Sequence, residues 1–93
     1  MIERTATIVN EEGLHARPAS KIVRIAIGFQ ADVEIVKDGM AVNGKSIMGV
    51  LMLQAECGSE ILLRVNGPDE VAAVEALVAL IAEGFGEKIG EKK

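Results

Sequence analysis

The sequence predicts an α+β fold, an open-faced β-sandwich in which a four-stranded antiparallel sheet carries three helices on one face. Two observations point there. Three short segments alternate apolar and polar residues with the period of half-buried strands and a fourth short run follows a hairpin-turn dipeptide, while two longer segments place apolar residues at helical spacing and a brief one follows a capping serine. Each strand has one apolar face only, which suits a sheet covered by helices on one side and wetted on the other. The order is strand, helix, strand, strand, short helix, strand, helix.

The first strand begins at Ile2 and runs to Val9, with Ile2, Ala6 and Ile8 alternating with Glu3, Thr5 and Thr7 and only Arg4 interrupting. Asn10-Glu11-Glu12-Gly13 breaks it. Beyond Leu14-His15, the apolar residues Ala19, Ile22, Val23 and Ala26 set a helix from Ala16 or Arg17 to about Ile27. Pro18 fits only a first turn, where its missing N–H costs nothing, and Gly28 suits a left-handed position past the helix end. Ala31, Val33 and Ile35 alternate with Asp32 and Glu34 in a second strand, and the turn dipeptide Asp38-Gly39 leads into a short third strand, Met40 to Asn43. Ser46 is placed to N-cap a brief helix through Ile47, Met48, Val50, Leu51 and Met52, which Gly49 weakens. Ile61, Leu63 and Val65 alternate with Leu62 and Arg64 in the fourth strand, closed by Gly67-Pro68. Asp69 is expected to cap the last helix and Glu70 to favour its positive end, with Val71, Val74, Leu77, Val78 and Ile81 as one apolar stripe before Gly84. Residues 1–87 form the domain, and the Lys-rich residues 88–93 read as a flexible tail.

Ninety-three residues suffice for one domain. Hydrophobic residues at 49% and charged ones at 26% exclude a disordered or disulfide-built chain. With one His and one Cys, the chain has no Cys/His zinc site, disulfide, His-ligated dinuclear centre or Cys-x-x-Cys pair, so no metal or cofactor is expected. A net charge of −4 argues against binding to a nucleic-acid backbone. The apolar runs are too short to enter and cross a bilayer, and Met1-Ile2-Glu3 does not resemble a signal peptide, so a cytoplasmic location is expected.

His15 is the residue with the most chemical promise, because it stands immediately before a helix. Helix N-termini present unpaired amides and a positive dipole end that attract anions by roughly 0.3 to 1 kcal/mol at exposed sites. The same field favours a neutral imidazole, whose lone pair a nucleophile needs, and Arg17 adds positive potential for a phosphoryl group. From the residues alone a second reading stays open: a loop histidine that caps the helix or bonds a nearby carbonyl. Arg17, Lys21 and Arg24 share one helical face at the positive end, with no acid between Leu14 and Phe29 to offset them. Either they are solvated surface charges or they form a docking face for an acidic partner. Ser46 is a structural cap or a regulatory phosphorylation site, and Ile47 and Met48 after it are core or an adaptable contact surface. Cys57 has no neighbour to activate it, and the scattered carboxylates show neither acid/base pairing nor a calcium-loop spacing.

The segment Gly13-Leu14-His15-Ala16-Arg17-Pro18-Ala19 closely resembles the active-site signature of the HPr family, the histidine-containing phosphocarriers of the bacterial sugar phosphotransferase system. Asn43-Gly44-Lys45-Ser46-Ile47-Met48-Gly49-Val50 resembles the same family's regulatory serine motif, and the likeness spans nearly the whole chain. The resemblance implies the sheet order first-fourth-second-third strand and a monomer. It also implies that His15 accepts a phosphoryl group from phosphorylated enzyme I, itself charged by phosphoenolpyruvate, and passes it to the A domain of an enzyme II. Arg17 would help to hold the phosphoryl group, and Ser46 would be the target of an HPr kinase/phosphorylase. Ala16, Ser20, Lys21 and Arg24 on the first helix, with Ile47, Met48 and Met52 on the second, would form the partner surface. The alternative is a regulatory interaction protein whose main output is Ser46 phosphorylation. A free-standing enzyme is the weakest reading, because no second catalytic group accompanies His15.

Overall fold

Alternation and helical spacing translate directly into the architecture of the computed structural model, which describes residues 1–90. The elements are β1 (Ile2–Thr7), α1 (Ala16–Ile27), β2 (Asp32–Lys37), β3 (Met40–Asn43), α2 (Ile47–Met52), β4 (Glu60–Asn66) and α3 (Glu70–Ala82), followed by a 3-10 turn, Gly84–Gly86. The strands form one antiparallel sheet in the order β1-β4-β2-β3. Asp38 (φ 51°) and Gly39 (φ 82°) both adopt the left-handed conformation that a tight β2-β3 hairpin requires.

The core lies between the sheet and the helices. Ile61, Leu63 and Val65 of β4 and Val33 and Ile35 of β2 meet Ala19, Ile22 and Ala26 of α1 and Ala73, Val74, Leu77 and Ile81 of α3, all of them buried. On the other face Arg64 of β4 reaches Glu3 of β1 at 3.1 Å and Glu34 of β2 at 3.3 Å. These are exposed cross-strand pairs that set register more than stability.

Four expectations are corrected. Gly28 is right-handed (φ −76°), because α1 closes with its amide bonded to Ile25 O at 3.0 Å, followed by Phe29 N–H to Ala26 O, and so needs no left-handed residue. Asp69 makes no side-chain cap to α3. Its carboxylate instead accepts the backbone N–H groups of Gln30 (2.9 Å) and Ala31 (2.8 Å), which ties the start of β2 to the start of α3. The helix start is held by Glu70, which accepts from Gly67 N–H at 3.0 Å. Val71 is exposed and Ala73 takes its place in the buried stripe. At 3.6 residues per turn Val71 falls roughly a quarter-turn off the line through Val74, Leu77 and Ile81.

The fourth correction concerns the C-terminal segment. Residues 88–90, expected to begin a flexible tail, form a strap over the loop after β1. Glu11 N–H donates to Lys88 O, Gly90 N–H donates to Val9 O, both at 2.8 Å, and Asn10 pairs with Ile89. The remainder of that expectation, residues 91–93, lies outside the described residues. Phe85 anchors the strap: it is 1% exposed and the largest fully buried side chain.

Asp69, Glu70 and Glu87 all titrate below the usual carboxylate range. For Asp69 and Glu70 the largest cause is a backbone hydrogen bond, from Gln30 and Gly67 respectively. For Glu87 burial pushes upward, but hydrogen bonds from His15 and Asn10 outweigh it. A carboxylate whose folded value is depressed stabilises the fold above its unfolded value and loses that contribution as pH falls through the folded one. The protein is therefore expected to hold constant stability from neutral pH to roughly pH 5 and to weaken steadily below about pH 4. Urea midpoints measured across that interval check it; a midpoint that stays level down to pH 3 refutes it.

Candidate functional site

The loop from Asn10 to Leu14 is pinned before it reaches the histidine. Leu14 is buried and its N–H donates to Ala55 O at 2.8 Å. Gly13 is left-handed (φ 71°), and a Cβ there would stand 2.5 Å from Ala55 O and 2.9 Å from Glu56 Cα. Only glycine satisfies both the dihedral and the close approach of the two backbones. The next residue, His15, is the extended N-cap of α1 (φ −96°, ψ −168°), and its side chain makes no capping bond. The capping reading of this residue therefore does not hold. Its ring points outward, half-exposed, at the end of the helix where the amides of Ala16 and Arg17 have no intrahelical acceptor. No acidic residue occupies that first turn.

Among the described residues the ring has one close partner. His15 Nε2 lies 3.1 Å from Glu87 Oε1, across 72 residues of sequence. The same oxygen accepts a hydrogen bond of 3.1 Å from Asn10 Nδ2, which also donates to Gly13 O at 2.8 Å. Asn10 is 0% exposed, and its Oδ1 finds no partner among the described residues. His15, Arg17 and Glu87 line an open cleft of about 460 Å³ together with Glu11, Glu12, Gly86 and Lys88. Lys88 leans toward Glu11 at 3.8 Å, while Arg17 makes no ion pair among the described residues. The cleft thus offers a ring nitrogen, a guanidinium and free amides at one helix end, a combination suited to receiving a phosphoryl group.

Other residues singled out from the sequence are placed as follows. Arg24 and Ala16 are exposed, and Ser20 is half-exposed on α1. Lys21 is taken out of the basic face in part, because its ammonium bonds Phe85 O and helps to hold the strap. Ser46 caps α2, with Oγ accepting from Gly49 N–H at 3.1 Å. Ile47 and Met52 are exposed and Met48 is 71% exposed, so they belong to a surface and not to the core. The packing of α2 against α1 brings that surface beside the basic helix, yet Ser46 does not line the cleft of His15. Among the described residues no group of three His, Cys, Asp or Glu side chains could hold a metal ion, and no helix is long and apolar enough to cross a membrane.

Asn10 and Glu87 are absent from the sequence-based site. Asn10 reads as a strand breaker and Glu87 as the last residue before a tail. The one available signal is Gly84-Phe85-Gly86, a large apolar residue between two glycines just past a helix, which marks a chain reversal seeking a buried pocket.

Comparison with known proteins gives the family. The family model described as the phosphotransferase-system HPr component phosphorylation site matches residues 2–83. The phosphocarrier protein HPr of Cupriavidus necator is 48% identical over 87 residues, covering 94% of this chain and 98% of its own. That of Treponema pallidum is 47% identical, covering 95% of this chain and 100% of its own. The crystal structure of HPr-C-His from Thermoanaerobacter tengcongensis superposes with a TM-score of 0.91 at 44% identity, covering 95% of this chain and 99% of that one. A matching family model, near-half identity over almost the full length and the same sheet order lead to one conclusion: the chain belongs to the HPr family, the phosphocarriers of the phosphotransferase system.

Proposed function

We propose that this protein carries a phosphoryl group on His15, taking it from phosphorylated enzyme I and delivering it to the A domain of an enzyme II in sugar transport. The observation that carries the proposal is a half-exposed histidine ring at an amide-rich helix end, sharing a cleft with Arg17, which makes no ion pair among the described residues. In the step, a ring-nitrogen lone pair attacks phosphorus, a P–N bond forms, and the donor's bond to phosphorus breaks with its electron pair staying on the donor. The phosphohistidine reverses the step on the acceptor. Arg17 and the first-turn amides neutralise the phosphoryl oxygens throughout. The carrier works as a monomer in the cytoplasm, and its partners supply the remaining catalytic groups. Arg24, Ala16 and Ser20 with Ile47, Met48 and Met52 give them a docking surface that is basic on α1 and apolar on α2.

Ser46 adds regulation. Its phosphorylation by an HPr kinase/phosphorylase would place about −1.5 to −2 charge on that surface, slowing the approach of a partner that reads the cations of α1 and coupling the carrier to catabolite control. Phosphorus NMR with enzyme I and phosphoenolpyruvate tests both parts. The native chain is expected to give an acid-labile phosphohistidine signal, His15→Ala none, and Ser46→Asp a signal that grows more slowly. Labelling of His15→Ala overturns the carrier assignment; equal rates for the native chain and Ser46→Asp overturn the regulatory one.

A further inference from the structure

We propose that Glu87, held by the buried Asn10, is the positioning residue of the carrier histidine. It fixes which ring nitrogen keeps the lone pair and balances the charge the ring acquires during transfer. This inference rests on the assignment of His15 as the acceptor. Glu87 titrates below the usual carboxylate range and is therefore ionised at neutral pH, so it has no proton to donate. A ring nitrogen 3.1 Å from an ionised carboxylate oxygen must be the protonated one. Nε2 thus carries the hydrogen, and Nδ1 keeps the lone pair.

The buried amide makes this arrangement rigid. Asn10 Nδ2 has two hydrogens, and Gly13 O and Glu87 Oε1 take one each. Flipping the amide would set its oxygen against a carbonyl and a carboxylate with no donor between them, so only one orientation is chemically allowed. One oxygen of Glu87 then receives two donors, one from the interior and one from the ring. The backbone on either side is also tied down, by Glu11 N–H to Lys88 O and by Lys21 to Phe85 O.

Attack through Nδ1 turns a neutral ring that is protonated on Nε2 into an N-phosphorylated ring bearing positive charge. That charge develops against a carboxylate already in place, as the buried acid of a catalytic triad does for its histidine. The ring gains the phosphoryl group through the Nδ1 lone pair, the donor keeps the electron pair of the bond that breaks, and the Nε2 proton stays on Nε2, shared with Glu87.

The test has two arms on the intact protein. In nitrogen-15 NMR of the unphosphorylated chain, the native ring is expected to show a proton on Nε2 that is protected from solvent exchange. Glu87→Ala should lose that protection, and Glu87→Gln, which keeps an acceptor oxygen, should retain it. A native ring protonated on Nδ1, or unchanged protection in Glu87→Ala, overturns the proposal whether or not the protein is a carrier. In charging by enzyme I and phosphoenolpyruvate, Glu87→Ala is expected to lower kcat by about 10- to 100-fold, by analogy with metal-binding histidines that lose the carboxylate orienting them. KM for enzyme I should hardly move. Glu87→Gln should recover part of kcat, and a well-dispersed amide spectrum for it separates this effect from misfolding. A rise in KM with kcat intact would make Glu87 a docking residue and overturn the positioning role. Failure of the native chain to charge at all refutes the carrier assignment while leaving the NMR arm decisive for the ring.

Discussion

Phe85→Ala is expected to lower the free energy of unfolding by about 3–5 kcal/mol, the usual cost of emptying a core aromatic site. Phe85 is the largest fully buried side chain and it lies outside every regular strand and helix, in the 3-10 turn after α3. Its backbone is left-handed (φ 59°), a strain that a phenylalanine accepts only where burial offsets it. A domain of this size holds roughly 5–15 kcal/mol in all, so the variant should be folded but close to its limit. Urea titration reads the difference directly. A loss below about 1 kcal/mol would mean that the strap is not anchored by this ring.

The second large effect is expected at Gly13. Gly13→Ala forces an L-residue into the left-handed region at a cost of about 1–2 kcal/mol, and its Cβ would also collide with the backbone at Ala55 and Glu56. Backbone atoms cannot swing aside like the end of a flexible side chain, so the loop itself must move. His15 lies two residues on, and its N–H bonds Gly13 O at 3.0 Å. Displacement of about 1 Å in a reacting group costs on the order of 10²-fold in rate. Charging by enzyme I is expected to fall by about that factor in Gly13→Ala, and Gly39→Ala is the control. Gly39 is also left-handed but has no atom within 4 Å of its missing Cβ. If the two variants charge equally, loop displacement at Gly13 is refuted as the cause.

The sheet, its three helices and the position of His15 were all legible in the sequence, because they depend on local patterns. Ile61, Leu63 and Val65 alternate, Ala19, Ile22 and Ala26 repeat at helical spacing, and Ser46 precedes its helix as caps do. What was not legible depends on contacts between distant residues. Asp69 looks like a cap by its place before α3, yet it bonds amides 39 and 38 positions away. Glu87 sits after a helix among lysines, glycines and glutamates, the composition of a tail, and the burial of Phe85 together with backbone bonds to the loop after β1 brings it to His15. Val71 misled because α3 is apolar on nearly all sides, so hydrophobicity alone did not mark which side meets the sheet.

The bond between Asn10 and Glu87 joins positions 77 apart. A ribosome makes β1, the loop and α1 well before Glu87, whose carboxylate meets the histidine ring. Until then a nascent chain can have its helix end and its ring, but not the acceptor that orders them. Contacts of such long range are slow to form, since loop closure must precede any gain. In the proposed role of Glu87, the ring is ordered only after that residue has been made, so a chain cut short before Glu87 is expected to fold in outline and lack the ordered histidine.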